Sequence, residues 1–439
     1  MRGAVIVGIT CVALGALAQP ARAQTTGCAS LSPLALSCVA LQKAADALAK
    51  RDTAAAREAY LRSWTHRAAQ LQYALQDDLP LTRAQWIGTH NSFNSVDESP
   101  TLSNYDSNQQ LSLRQQLDLD VRALELDLHV VNGRVIVCHG RGAEELNLGC
   151  TTEPALPAVL GTITAWLDAH RDQVILLYLE DDMDSAAGYA QAVAQLDEGL
   201  GQRLYRPAPS GAAACTPLPL RLSRNAVRRT GAQVVLVGNC RRGWAPVVFG
   251  WDAEHVEGGS AAAYKPYPAC DATYGRDVYG DKLVRYFEDS TLLRVLTAPT
   301  TPATDPARLT PATTAAMTAC GVNLFGFDQL LPDDGRLAAT IWSWAPDEPR
   351  ADGGACTIQR SDGRWARRPC TARRIAACRR GSTWLLTGRA LTFDAARKRC
   401  RRRHAPLGVP RSGDENARLR ALAGATEVWI NRRASRAAS

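Results

Sequence analysis

From Leu81 onward, short apolar runs alternate with longer mixed stretches. The runs are "AQWIG" (84–88), "RALELDLHV" (122–130), "RVIVC" (134–138), "QVILLYLE" (173–180), "AQVVLVG" (232–238), "APVVFGW" (245–251), "VNLFGFD" (322–328) and "AATIWSW" (338–344). Several are nearly continuous in Val, Ile and Leu, the pattern of strands buried on both faces. Helical stretches lie between some of them, at 155–170 and 184–200. Eight such strands over about 260 residues predict a closed, TIM-like β/α barrel. The link between the second and third runs is too short for a helix, so the barrel is irregular there or the pair is a hairpin. Upstream, residues 39–77 hold neither Gly nor Pro, and Leu61, Trp64, Ala68, Leu71 and Leu75 fall at helical spacing. That pattern predicts a helical hairpin ending at Pro80.

Composition adds a compartment and a second module. Residues 1–23 have the form of a secretory signal: Arg2, an apolar stretch from Ala4 to Ala18, then Ala21-Arg22-Ala23. The expected product is secreted, extracellular or periplasmic. Of 13 cysteines, Cys11 lies in that signal, and the even remainder suits disulfides. Cys138 and Cys150 bracket a loop and are expected to pair. Charge is divided unevenly: from Gln359 onward there are about 21 Arg and Lys against about 5 Asp and Glu, within a chain of net charge +8. This separates a basic C-terminal module from the rest. The expected domains are the signal (1–23), a helical segment (24–80), the barrel (81–345) and the basic module (346–439). The module is expected to serve attachment and to be removable near Asp352.

In a β/α barrel the chemistry sits at the carboxyl ends of the strands. There the sequence puts His90-Asn91, then Glu125, Asp127 and His129 on one strand face, then His139, then Glu180. An acidic pair facing a barrel interior needs compensation, and a cation supplies it. Asn91, Glu125, Asp127 and Glu180 all offer oxygen, the donor that calcium prefers. His90 and His139 are then the candidate acid–base pair. Lys265 and Asp328 are candidate substrate-binding residues, and Trp342 and Trp344 line either the mouth or the core.

"GTHNS", "LELD", "CHG" and "LYLE" together resemble the X-type catalytic barrel of phosphatidylinositol-specific phospholipase C, over roughly residues 65–345. The family has a calcium-dependent branch and a metal-free one. Asn91 after His90, and Asp127 where the metal-free branch has Arg, resemble the calcium-dependent branch. The resemblance implies His90 and His139 as catalytic, Asn91, Glu125, Asp127 and Glu180 as Ca2+ ligands, and phosphatidylinositol or a related phosphodiester as substrate. The implied reaction cleaves the glycerol–phosphate bond through a cyclic inositol phosphate. The alternatives are a glycerophosphodiester phosphodiesterase and a non-catalytic lipid- or glycan-binding protein.

Residues 356–378 and 384–429 resemble the two halves of a C-type lectin domain in reversed order, carried by Cys356, Trp365, Cys370, Cys378, Trp384, Phe393, Cys400 and Trp429. The resemblance implies Cys356–Cys370 and Cys378–Cys400 disulfides. Its sugar-binding calcium signature is altered, with Ala366-Arg367 in "GRWARR" and Arg350 in "EPR". The expected partner of the basic face is a peripheral membrane surface or an anionic glycan, not nucleic acid.

Overall fold

The structure, a computed structural model, describes residues 53–98, 107–139, 154–208, 215–239, 243–244, 246–261, 264–270, 282–291, 308–350 and 352–433. The signal, Cys28, Cys38, Cys150 and Cys240 lie outside them. Two helices open the described chain, α1 (Thr53–Leu61) and α2 (Trp64–Leu75), as the hairpin pattern predicts. A curled sheet follows, of β1 (Trp86–Thr89), β2 (Ala123–Val131), β3 (Arg134–Val137), β4 (Ile175–Asp181), β5 (Val234–Gly238), β6 (Phe249–Gly250), β7 (His255–Glu257), β8 (Leu283–Phe287) and β9 (Leu324–Phe327). The order is β6-β5-β4-β2-β1-β9-β8-β7, and all these neighbours are parallel. The exception is β3, which runs antiparallel beside β2, so the second and third runs form the hairpin.

The two edge strands, β6 and β7, are consecutive in the chain and separated by Trp251–Glu254. A link this short spans at most ~18 Å, so the two edges lie within that reach of each other where the link joins them. The result is a TIM-like α/β half-barrel that comes round almost upon itself. Period-2 alternation sorts its faces. Leu124, Leu126 and Leu128 of β2 pack outward with Leu156, Leu160 and Trp166 of α4 (Leu156–Ala169). Ala123 points inward with Trp86, Leu176, Val235, Trp251 and Leu324. The other helices near the barrel are α3 (Leu113–Asp118), α5 (Ala186–Leu200), α6 (Arg224–Arg229), α7 (Pro311–Cys320) and α8 (Arg336–Ala339).

Two expectations fail. The run 338–344 is not a barrel strand: its start lies in α8, and the rest extends toward the C-terminal module. The side-chain oxygen of Gln72 accepts from Trp342 N at 2.8 Å and Ser343 N at 3.0 Å. Trp365 N then donates to Ser343 O at 2.8 Å. The hydrophobicity of Trp342 and Trp344 serves that contact, with both side chains buried. Conversely, β7 and β8 have no counterpart among the eight runs, because charged Arg285 and Glu257 interrupt short apolar stretches.

The C-terminal module holds β10 (Cys356–Gln359), β11 (Trp365–Arg368), β12 (Ile375–Arg380), β13 (Thr383–Leu386), α9 (Phe393–Arg402), α10 (Gly413–Ala423) and β14 (Val428–Arg433). Its sheet runs β11-β10-β14-β12-β13. One face, with Ile358, Ala366, Ala376 and Trp429, packs on Phe393, Ala396 and Cys400 of α9. The opposite face, with Trp365, Ala377, Val428 and Ile430, packs on Leu419 of α10, on Ala68, Trp64, Leu71 and Leu75 of α2, and on Trp342 and Trp344. The module thus shares a core with the rest of the chain, contrary to the expectation of a removable unit. A Cβ on Gly413 would lie 2.3 Å from Thr318 O, so α10 meets α7 at a distance only glycine permits. Cys356–Cys370 and Cys378–Cys400 are disulfides, as expected, and Cys270 pairs with Cys320. Cys138 and Cys215 are also disulfide-bonded, so every described cysteine is paired.

Candidate active site

Strand β1 delivers His90 one residue past its end, where His90 N still bonds Phe327 O at 3.2 Å. The chain then turns at once. Asn91 takes a left-handed conformation, φ 43°, which Asn tolerates better than most residues. Glu125 on β2 secures the turn: its Oε2 accepts from Asn91 N at 3.1 Å, and its backbone O accepts from Ser92 N at 3.1 Å. Register brings Asp127 opposite Glu180 on β4. Ligand oxygens of Glu125, Asp127 and Glu180 all lie within 4.8 Å of one another. Hairpin β2–β3 returns His139 to the rim, exposed. His90, Asn91, Glu125, Asp127, His139 and Glu180 all line one cavity of about 380 Å³ at the carboxyl ends of the strands.

His90 is held from behind. Its Nδ1 lies 3.2 Å from each carboxylate oxygen of Asp328, and its Nε2 lies 4.0 Å from Glu125 Oε2. Burial pulls the imidazole pKa down, but Asp328, Glu125 and Asp127 outweigh it and raise it to about 10. Asp328 is itself fixed by Ser290 N at 2.6 Å and Asn108 Nδ2 at 3.2 Å, and it is buried. It therefore orients His90 and is not open to substrate, a correction to its expected role. Lys265 is not in the cavity either. Its carbonyl oxygen lies 3.6 Å from Cys320 Sγ, at the end of α7 that precedes β9, hence at the amino ends of the strands. His129 lies behind the acidic cluster, its Nε2 3.3 Å from Asp182 Oδ2.

The acidic cluster is electrostatically unsettled. Burial raises the pKa of Asp127 well above the carboxylate range, and Glu125 and Glu180 push it further. Burial also raises Glu125, to about 7, against the pull of His90 and Arg285. Glu180 is raised by burial and by Asp182.

Asn91 is a test of whether a cation fits. Asn108 donates to Asp328 and accepts from Asn94 Nδ2 at 2.9 Å, so its Oδ1 faces Asn91. Asn91 Nδ2 donates to that oxygen at 3.1 Å. Its own Oδ1 is then left against Asp127 Oδ1 and Oδ2, at 3.0 and 2.8 Å. Turning the amide over satisfies Asp127 but sets oxygen against oxygen at Asn108 instead. A hard cation between the Asn91 and carboxylate oxygens removes the conflict, and this all-oxygen donor set suits one.

The sequence reading overlooked Arg285. On β8, Leu283, Arg285 and Phe287 alternate with Val284 and Tyr286, which was the available signal. The guanidinium lies 5.0 Å from the ring of Tyr178, 4.8 Å from Trp251 and 4.4 Å from Phe287, and it pairs with Glu257. Arg285, Tyr178, Phe287 and Glu288 line the same cavity. The cluster therefore has a fixed positive charge beside it. Glu288 is buried, with a pKa raised by burial to about 7, and it pairs with Arg336 Nη1 at 2.5 Å.

The chain is similar to known proteins. The family model of the Rv2075c PI-PLC-like domain matches residues 46–334. The chain belongs to this family. The uncharacterized protein Rv2075c of Mycobacterium tuberculosis is 51% identical over 443 residues, covering 93% of this chain and 91% of that one. A PI-PLC X domain-containing protein of Arabidopsis thaliana, At5g67130, is 27% identical over 107 residues, 24% of each chain. Among solved structures, phosphatidylinositol-specific phospholipase C from Listeria monocytogenes is similar, with 17% identity and a TM-score of 0.43, covering 62% of this chain and 97% of that one. The PI-PLC-like domain supports phosphodiesterase-type activity. The family match ends before the C-terminal module.

Proposed function

We propose that the protein is a cation-dependent phosphodiesterase that cleaves phosphatidylinositol or a close relative, and that the cation is calcium. The observation that carries this reading is the convergence of two histidines and an acidic triad, with Glu125 and Asp127 buried and Glu180 exposed, on one cavity. The cation ligands are Asn91, Glu125, Asp127 and Glu180. When bound, the cation would neutralise phosphodiester charge and lower the pKa of the attacking hydroxyl.

The chain's own groups then divide the work. Arg285, against the rings of Tyr178 and Phe287, binds and orients the anionic headgroup. The inositol 2-hydroxyl attacks phosphorus within the same molecule, an advantage of proximity. Its proton passes to Glu180, the most exposed of the three carboxylates. His90, kept protonated by Asp328, donates to a phosphoryl oxygen as charge builds there. The phosphorus–glycerol oxygen bond breaks, and His139 at the rim protonates the departing oxygen. His139, now neutral, takes a proton from water as that water attacks phosphorus; the bond from phosphorus to the inositol 2-oxygen breaks, and Glu180 returns its proton to that oxygen.

We also propose export. The disulfides at every described cysteine support it, since such bonds persist in oxidising compartments. The lectin-like reading of 346–439 rests on its residue pattern and its two internal disulfides. The test is incubation with phosphatidylinositol vesicles, with phosphorus resonances followed in the presence and absence of chelator. A cyclic inositol phosphate that forms only with calcium is expected. Absence of phosphodiester cleavage with any divalent cation would overturn the catalytic reading, and full turnover in chelator would overturn the cation.

A further inference from the structure

The basic charge of the C-terminal module gathers on α9. Phe393, Ala396 and Cys400 turn inward, which leaves Lys398, Arg399, Arg401 and Arg402 exposed on the outer face. Arg380 of β12 joins them, donating to Arg403 O at 2.9 Å. Asp394 is the helix's acid, and it pairs with Arg433 at 2.7 Å. Among the described residues no carboxylate pairs with any of the four exposed cations. Spacings of three and four residues set these like charges beside one another, which weakens a helix. Against this, the negative end of the helix dipole favours Arg399, Arg401 and Arg402, which lie in the last turn. An unpaired basic row on the outer face calls for an anionic partner.

Position narrows the partner. The module's sheet lies between α9 and the rest of the chain, so the basic face points away from the barrel. The module meets the barrel at the amino ends of the strands: Gln76 Nε2 donates to Arg411 O at 2.9 Å, Gln76 Oε1 accepts from Gln85 N just before β1, and Gly413 abuts Thr318. The cavity opens at the carboxyl ends. Acidic site and basic face therefore occupy opposite poles. A bilayer drawn to α9 would have the cavity turned away from it. Nor does α9 offer anything to insert, because its apolar stripe is buried and the exposed large hydrophobe among the described residues is Leu422 of α10. Among the described residues, no exposed Trp, Tyr or Phe lies beside the row for stacking on nucleic-acid bases.

We propose that the outer face of α9 is an electrostatic binding surface for an acidic polysaccharide, which anchors the protein at the pole opposite its cavity. The surface does not depend on the catalytic reading. The test uses the full chain and fluorescein-labelled dextran sulfate, followed by anisotropy at 50 and 200 mM NaCl. One variant carries Lys398→Gln, Arg399→Gln, Arg401→Gln and Arg402→Gln. A control carries Arg114→Gln, Arg171→Gln, Arg221→Gln and Arg229→Gln, an equal loss of charge from exposed positions elsewhere. The α9 variant is expected to bind on the order of 1,000-fold more weakly at low salt, the summed effect of four cations at an anionic surface. It should melt close to the natural protein, since the like-charge repulsion relieved offsets the dipole interaction lost. The control should bind as the natural protein does. Equal loss in both variants would mean net charge alone. Unchanged binding with a lower melting temperature would make the row a helix-stabilising device. Tighter α9-dependent binding to vesicles of 70% phosphatidylcholine and 30% phosphatidylserine, or to double-stranded DNA, than to the polymer would also overturn the proposal.

Discussion

Asp127→Asn should have opposite effects on stability with and without calcium. In the cation-free chain, ligand oxygens of Glu125, Asp127 and Glu180 crowd within 4.8 Å. At an effective dielectric constant of about 20, two unit charges at that distance repel by ~3 kcal/mol. Proton uptake limits the cost. Raising Glu125 from its usual 4.5 to about 7 corresponds to ~3 kcal/mol at a pH above both values. A carboxyl whose folded pKa is raised lends stability that is complete below its unfolded value and is lost as pH rises through the folded one. The natural protein in chelator should therefore lose stability between about pH 4.5 and 7. Asp127→Asn removes one charge, and its amide can donate toward Asn91 Oδ1. In chelator at pH 8 it should be more stable than the natural protein by ~2 kcal/mol, and the difference should shrink toward pH 5. Calcium at 100 times its dissociation constant should stabilise the natural protein by ~2.7 kcal/mol and the variant by little. Urea unfolding at pH 5 and pH 8, with and without calcium, measures all four quantities. If Asp127→Asn is the less stable protein in chelator at pH 8, Asp127 is a structural hydrogen-bonding residue and the cation site is refuted.

Three further outcomes are expected. His90→Ala and His139→Ala should each lower turnover by ~100- to 10,000-fold, His139→Ala with a near-normal melting temperature and His90→Ala with a lower one because buried Asp328 loses its partner, and near-normal turnover removes that residue from the mechanism. Arg285→Gln should raise KM for an anionic phosphodiester more than it lowers kcat, read from initial rates; a selective loss of kcat would assign Arg285 to the reacting phosphoryl group instead. A chain ending at Asp352 should fail to fold, because it strips cover from Trp64, Trp342 and Trp344; three such side chains at ~200 Å² each represent up to ~15 kcal/mol of burial, as much as a whole domain's stability. Circular dichroism and a urea melt would decide it, and a cooperative transition at the natural midpoint would show the shared core to be dispensable.

The legible parts of the molecule were those in which periodicity and chemistry coincide. The run "LELDLH" alternates Leu with Glu125, Asp127 and His129, so it announced both a strand and the face that carries polar groups. The link too short for a helix left an irregular barrel or a hairpin between the second and third runs, and the structure has the hairpin. Strands β7 and β8 were hidden because a charged residue inside a short apolar run reads as surface. Arg285 is instead housed among aromatic rings, a tertiary solution that local pattern does not specify. Trp342 and Trp344 misled for the converse reason: their apolar bulk is buried against another module, not in the barrel. Asp328 was recognised as a strand-end carboxylate, but its pairing with His90 depends on β1 lying beside β9, which no local feature encodes.

The adjacency of β1 and β9 has a consequence for the order in which the protein is built. Glu125, Asp127 and Glu180 come from one stretch of chain and can meet once β2 and β4 have paired. His90 and Asp328 are 238 residues apart, and contacts of long sequence separation bear the greatest loop-closure cost before they are rewarded. During synthesis Asp328 emerges long after the acidic residues have been made. The acidic half of the site can therefore exist in a nascent chain, whereas the histidine acquires its orienting carboxylate only when the last barrel strand closes against the first.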